Sequence, residues 1–530
     1  MTTVEETSPT QPERGSSSDA ETRTRRTVEA NGINVIDEAE RRGTPAGLFW
    51  PWCASNISVL AVSYGAFVLG FGIGLWQAIA AAVVGAVVSF FLVGLVSIAG
   101  KRGSAPTLTL SRAAFGRWGN TLPCLVSYIL LVGWETVLVA LSTLATATVF
   151  ERLGWSHGDG TKVVAFVVVA LVIVGAGIMG FDLIMRLQKY LTIALIIVTA
   201  VYVVLTVDHI HLATLRDLPN GDTSAMVGAT VLVMTGFGVG WVNTGADYSR
   251  YLPRNASTGG VVWWPTFGGS LPVVVLVAYG ILLAGSSQSL SDAVSADPIG
   301  ALTTILPTWF LLPFAIVAVL GLVSGAVMDI YSSGLTLLTL GLPAPRWVAA
   351  AIDGVLMVLG AVYIVFYADS DFVTIFEAFL IVLGVPMAAW CGVFLADLLI
   401  RRRDYDERSL LGGGVYSSVR LSAVLFMAVG TWVGWGLVID TTGAGKHLGW
   451  LGYFLDGFTV DVGGVHHTWF DLGGTQGAWA YANLGVPVAL AIGFVGYLVF
   501  GFLGVRRQER ALERGRPDRS PAGAERPPGG

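Results

Sequence analysis

The sequence predicts an all-α polytopic membrane protein, and three observations carry that reading. Hydrophobic residues make up 54% of the chain and charged ones only 13%, against about 25% charged in a soluble domain. The apolar residues gather in runs, most of which reach the roughly 20 residues that a helix needs to cross the hydrocarbon core. None of the runs alternates polar with apolar as a half-buried strand would. About twelve transmembrane helices follow.

Residues 1–47 are rich in Thr, Ser, Glu and Arg, lack an apolar run and read as a disordered tail. They show no charged start leading into an apolar core, so no cleaved signal is expected. The first span runs from about Trp50 to Phe67, and its front half holds Cys-Ala-Ser-Asn-Ile-Ser from Cys53 to Ser58. Small and polar residues stand there where a plain anchor would have Leu. The next spans are Trp76–Ala99, Leu122–Phe150, Val163–Ile178 and Tyr190–Thr206.

The sixth span, from about Ala225 to Gly245, carries Gly236, Gly238, Gly240 and Gly245 in its second half. Each glycine costs a helix interior roughly 0.5 to 1 kcal/mol relative to alanine, so this density predicts a weak or broken helix. Broken helices at membrane depth are tolerated only where protein buries them or they line a polar cavity. Gly236 and Gly240 equally spell a GxxxG packing face. Beyond it lie Val261–Ala284, Trp309–Leu340 with a break expected near Tyr331, Trp347–Phe366, Phe372–Ile400, Val419–Ile439 and Ala482–Val505. Residues 506–530 read as a second tail.

The charged loops give these spans an orientation. With the N-terminus inside, the inner loops hold Lys101, Arg102, Arg112, Arg117, Arg186, Lys189, Arg250, Arg254, Arg346 and Arg401 to Arg403, against Arg152, Lys162, Arg216 and Lys446 outside. That bias obeys the positive-inside rule and puts both termini in the cytoplasm, with the plasma membrane as the expected location. All six histidines fall in outer loops, so no histidine relay is expected, and the net charge of -5 says little about partners. Cys53, Cys124 and Cys391 sit in or beside apolar runs and read as small buried hydrophobes without metal-ligand spacing.

The first and sixth spans are the two with polar or glycine-rich interruptions, and five crossings separate their starts. An odd number of spans per repeat inverts the second copy, and paired broken helices point to a transporter binding site near the midplane. Hydropathy thus divides a transporter domain of residues 48–505 into two inverted five-helix repeats, about 50–206 and 225–400, plus two extra helices over 419–505.

The run Ala246-Asp247-Tyr248-Ser249-Arg250-Tyr251-Leu252-Pro253, with Gly133-Trp134-Glu135-Thr136 in the third span and Asp329-Ile330-Tyr331-Ser332-Ser333-Gly334-Leu335 in the eighth, resembles the purine and cytosine permeases of the nucleobase:cation symporter family. Trp479-Ala480-Tyr481-Ala482-Asn483-Leu484-Gly485 is also similar to bacterial members. The resemblance covers about Trp50 to Val505 and implies a LeuT-like fold and proton- or sodium-driven uptake of a nucleobase or a related heterocycle.

A planar heterocycle needs an aromatic face and a few fixed donors and acceptors. The resemblance makes Trp134 the stacking tryptophan, with Phe237 between Gly236 and Gly238 at the break of the sixth helix and Asn56 at that of the first. Glu135, Asp329 and Glu377 sit deep in apolar spans, where carboxyls usually face a cavity and mark ion or substrate paths. Glu135, beside the stacking tryptophan, is the expected partner for a ring edge. Asp353, Asp397 and Asp182 lie nearer span ends and read as interfacial charges. For ion coupling, sodium-driven members imply a site at Ala54 to Ile57 and at hydroxyls of the eighth helix, which offers Ser324 but has Val323 where a second hydroxyl would stand. Asp329 and Glu377 are the titratable alternatives, so a proton is favoured over sodium.

The expected partners are a small heterocycle and the lipid bilayer, with no nucleic acid and no obligate protein, and no cofactor beyond the coupling ion. No nucleophile–base pair or HExxH motif supports an enzyme. A channel would not need two broken helices. Hydantoin, allantoin or a vitamin ring such as thiamine stays open as the substrate.

Overall fold

A computed structural model describes residues 28–155, 158–367, 372–439, 449–462, 465–469 and 472–514. The first span is two helices, α1 (Phe49–Ala54) and α2 (Val59–Leu69), bent by 69° about residues 55–58. The polar run causes the bend. Asn56 Nδ2 turns back to Trp52 O at 2.8 Å, and Ser58 Oγ accepts the Leu60 N–H at 3.2 Å as an N-cap, so side chains satisfy backbone groups that a continuous helix would pair. Further along come α3 (Leu75–Gly103), the short α4 (Thr107–Phe115), α5 (Thr121–Arg152), α6 (Asp159–Met179) and α7 (Phe181–Thr206).

The sixth span is distorted rather than cleanly broken. Helix α8 (Thr223–Met234) passes into a single π turn at Thr235–Val239, then a 3-10 turn at Val242–Thr244 and α9 (Gly245–Ser249). Its glycines serve close packing: a Cβ on Gly236 would lie 2.0 Å from the Tyr64 hydroxyl, and one on Gly238 would lie 2.4 Å from Ser89. The expected break near Tyr331 is absent, because α11 (Leu311–Leu340) is one continuous helix and Tyr331 is fully buried within it.

Helices α10 (Thr258–Ser286), α12 (Arg346–Phe366), α13 (Phe372–Ile400), α14 (Leu421–Trp435), α15 (Gly485–Phe500) and α16 (Phe502–Arg514) complete the bundle. Among the described residues nine helices are long and apolar enough to cross a membrane, or eleven if each bent pair is one span. The twelve expected is reached only by counting the shorter α14 as well. α3 packs along α10 and α5 along α11, so helices of the first half lie against those five crossings later, and α13 packs along α15. All three cysteines are buried and free.

Two expectations at the edges of the bundle are corrected. Residues 28–47 are no loose tail: Ile36 is buried, and Glu29 pairs with Arg250 at 2.8 Å and Arg346 at 3.4 Å while accepting hydrogen bonds from the Tyr251 and Tyr331 hydroxyls. Apolar runs mark spans in a sequence, whereas this segment is held by polar contacts to residues hundreds of positions away. The second tail likewise starts late, since α16 runs to Arg514 and Glu509 accepts the N–H groups of Arg402 and Arg403. The loop expected outside adds one antiparallel hairpin, β1 (Phe458–Val462) and β2 (Val465–Trp469), to the helical membrane bundle.

Candidate functional site

A cavity lies where the first span bends, closed by α2, α5, α11 and the π turn of the sixth span. It offers about 40 Å³ to the centre of a water-sized sphere, room for more than one water. Its aromatic walls are Trp134, Phe237, Tyr64 and Trp241. The Phe237 ring leans on Tyr64 with centroids 4.6 Å apart, and Trp134 meets Phe379 of α13 edge-on at 6.5 Å. Trp241 stands edge-on to Trp52 at 5.7 Å. These contacts hold ring faces around a slot suited to a flat apolar face.

Polar groups enter from the bend and from α11. Asn56 spends its amide nitrogen on Trp52 O and on Ser55 Oγ at 3.1 Å, which leaves its carbonyl oxygen as the group to offer a ligand. Asp329 is 2% exposed and its Oδ2 has no hydrogen-bond partner among the described residues. An unmatched carboxyl oxygen at a cavity wall is a demand for a donor, because a buried polar atom left unpaired is costly.

The structure brings Asn56, Trp134, Gly236, Phe237 and Asp329 together and leaves other expected residues out. Gly238 does not line the cavity; it faces Ser89 of α3. Glu135 is fully buried yet also absent from the lining, since the residue after Trp134 on a helix points about 100° away. It meets Ser333 at 2.7 Å instead, and Ser333 in turn lies 3.0 Å from Asp353. Asp353 is therefore no interfacial charge but fully buried, as is Asp397, which pairs with Arg401 at 2.8 Å. Asp182 keeps an exposed pair with Arg42 at 2.5 Å.

Of the ion candidates, Ala54 and Ile57 flank the bend, and Ile57 O comes within 2.7 Å of a Cβ placed on Gly321 of α11. Ser324 is turned the other way. Its hydroxyl donates to Gln188 Oε1 at 2.5 Å, and Gln188 Nε2 donates back to Ser324 O at 2.9 Å. Glu377 lies outside the residues whose side chains are described.

Sequence reasoning missed Tyr64, Trp241, Gln188 and Ser333. Gln188 left no signal of its own, because it stands between Arg186 and Lys189 just before the expected start of the fifth span at Tyr190.

A bent first span opposite a glycine-rich π turn, enclosing an aromatic slot inside a helical bundle whose halves pack on each other, defines a secondary transporter. Residues 35–455 match the model of a family described as permease for cytosine/purines, uracil, thiamine, allantoin, and the chain belongs to that family. It is 24% identical over 408 residues to the putative purine-cytosine permease YxlA of Bacillus subtilis (strain 168), a match covering 74% of this chain and 84% of that one. Among solved structures it resembles Mhp1, a nucleobase-cation-symport-1 family transporter, in a closed conformation with bromovinylhydantoin bound, with TM-score 0.64, 17% identity and coverage of 90% and 95% of the two chains. The inward-facing conformation of Mhp1 gives TM-score 0.61 at 17% identity over 93% and 100%, and a Na+-coupled sialic acid symporter 0.56 at 11% over 90% and 93%. These structures establish the LeuT-like fold.

Proposed function

We propose that this protein takes up a cytosine- or purine-type nucleobase across the plasma membrane, coupled to a proton in preference to sodium, by alternating access with both termini in the cytoplasm. The observation that carries the reading is the cavity at the bend of the first span, where Trp134 and Phe237 supply ring faces and Asn56 and Asp329 supply edge groups. A protonated Asp329 offers one donor and one acceptor, the complement of the ring nitrogen and exocyclic amine of cytosine or adenine. Family membership supports the substrate class, and family members described for uracil, thiamine or allantoin keep a related ring as the second reading.

Proton coupling is favoured by Asp329, a titratable group in the cavity wall, and by Ser324, whose hydroxyl is engaged by Gln188 and not free to complete a set of oxygens around a hard cation. The substrate test is competition of radiolabelled cytosine uptake, in cells expressing the protein, by a panel of heterocycles. Displacement by cytosine or adenine at the lowest concentrations supports the reading. No uptake of labelled cytosine, with uptake of labelled hydantoin, allantoin or thiamine in the same cells, replaces it with the second.

A further inference from the structure

Behind the cavity, Ser333 of α11 stands between two buried carboxyls. Its Oγ lies 2.7 Å from Glu135 Oε1 on α5 and 3.0 Å from Asp353 Oδ2 on α12. A hydroxyl has one hydrogen and donates once. With both carboxyls ionised, one of the two contacts would set lone pairs against lone pairs, so a proton must sit on one carboxyl and be donated to Ser333. Tyr128 cannot supply it, because its hydroxyl hydrogen is directed to the other oxygen of Asp353, Oδ1, at 2.5 Å.

A second observation points the same way. Glu135 and Asp353 are both fully buried, and Glu135 Oε2 has no hydrogen-bond partner among the described residues. Buried ion pairs engage Glu29 and Asp397, but no described ion pair includes Glu135 or Asp353. Two carboxylates in an interior without a cation cannot both stay charged, whereas one proton shared between them removes the repulsion and half the desolvation cost.

The other groups facing the cluster do not alter this count. Asp329 lies one turn before Ser333 on α11, and Tyr128 two turns before Glu135 on α5. α6, packed on α5, α11 and α12, has no ionisable residue between Lys162 and its end at Met179. Arg346 at the start of α12 is held by Glu29, and Glu377 of α13 is outside the described side chains.

We propose that Glu135, Ser333 and Asp353 form a proton-binding site distinct from the substrate cavity, holding one proton between two carboxyls. The proton leaves Glu135 for Ser333 Oγ as the Ser333 hydrogen passes to Asp353, so it moves across the site without net change. The site shares its helices with the cavity: Glu135 follows Trp134 on α5, and Ser333 lies four residues after Asp329 on α11. Any repacking of α5 against α11 that opens the cavity therefore changes the spacing of the carboxyls and with it their hold on the proton. That this proton is carried in transport together with the one on Asp329 rests on the transport reading above; that the site holds a proton does not.

Infrared spectroscopy of the purified protein at neutral pH tests the site without a substrate. The parent-minus-variant difference for Glu135→Gln, for Asp353→Asn and for the double variant should contain the C=O band of a protonated carboxylic acid. Differences holding only ionised carboxylate bands would overturn the site, and either single variant suffices if the other fails to fold. Uptake then tests coupling: Glu135→Gln and Asp353→Asn should exchange labelled for unlabelled substrate but fail to concentrate it, while Ser333→Ala should shift the pH midpoint of accumulation. Normal accumulation at an unshifted midpoint in all three would leave a proton site that is not the coupling site. A parent that transports no tested heterocycle would sink the transport reading and leave the infrared result standing.

Discussion

Replacing Trp134 with alanine removes one aromatic wall of the cavity. The indole is partly buried, faces the cavity and is steadied by the edge contact to Phe379 at 6.5 Å, so its loss opens one side of the slot rather than a sealed core. Stacking of a base on an aromatic side chain contributes about 1 to 3 kcal/mol, which corresponds to roughly a 5- to 150-fold weaker affinity. Because the residue lies on the continuous helix α5, at the cavity wall, the fold should survive. The assay is the concentration dependence of labelled substrate uptake, normalised to protein in the membrane, for the parent, Trp134→Ala and Trp134→Phe. Alanine should raise the half-saturating concentration strongly, and phenylalanine should recover part of the loss. An unchanged half-saturation in Trp134→Ala at normal surface level would refute the stacking role.

Other expectations follow from single contacts. Gly236→Ala would place a methyl 2.0 Å from the Tyr64 hydroxyl, an overpacking that costs about 1 to 3 kcal/mol; a lowered melting temperature, partly restored by Tyr64→Phe, is the check, and an unchanged one contradicts the close approach. Glu29→Gln leaves the buried Arg250 without its anion, a loss of about 3 to 5 kcal/mol for a buried pair broken on one side; a marked fall in thermal stability of the purified protein is expected, and an equal melting temperature would show that residues 28–47 are not anchored there. With the parent cysteines buried, Thr475→Cys should react with a membrane-impermeant thiol reagent in intact cells and Gly413→Cys should not; the opposite pattern inverts the topology.

The fold was legible to the extent that hydropathy and local polarity determine it. The Ser-Asn-Ile-Ser run read as an interruption because its side chains compete with helical hydrogen bonds wherever they stand, and the 69° bend lies there. The glycines of the sixth span admitted two readings, and packing decided between them: Tyr64 and Ser89 occupy the space next to Gly236 and Gly238, so most of the helix persists. Depth along a span could be read, but azimuth could not. Glu135 and Trp134 are neighbours in sequence and face different surroundings, Ser333 turns its hydroxyl to a carboxyl 198 residues earlier, and Asp353 looked interfacial because position along α12 does not reveal that the neighbouring helices cover it. The Glu29 anchor was invisible for the same reason, since its partners Arg250 and Arg346 are remote and only the folded chain assembles them.

The claim that a proton rather than sodium drives uptake through this cavity is tested most directly by one series: initial uptake of the labelled heterocycle in sodium and in choline buffers at several external pH values, for the parent and for Asp329→Asn. Parent uptake should rise as external pH falls and persist in choline, with the variant exchanging substrate but not accumulating it. Uptake that stops in choline and ignores pH would contradict proton coupling.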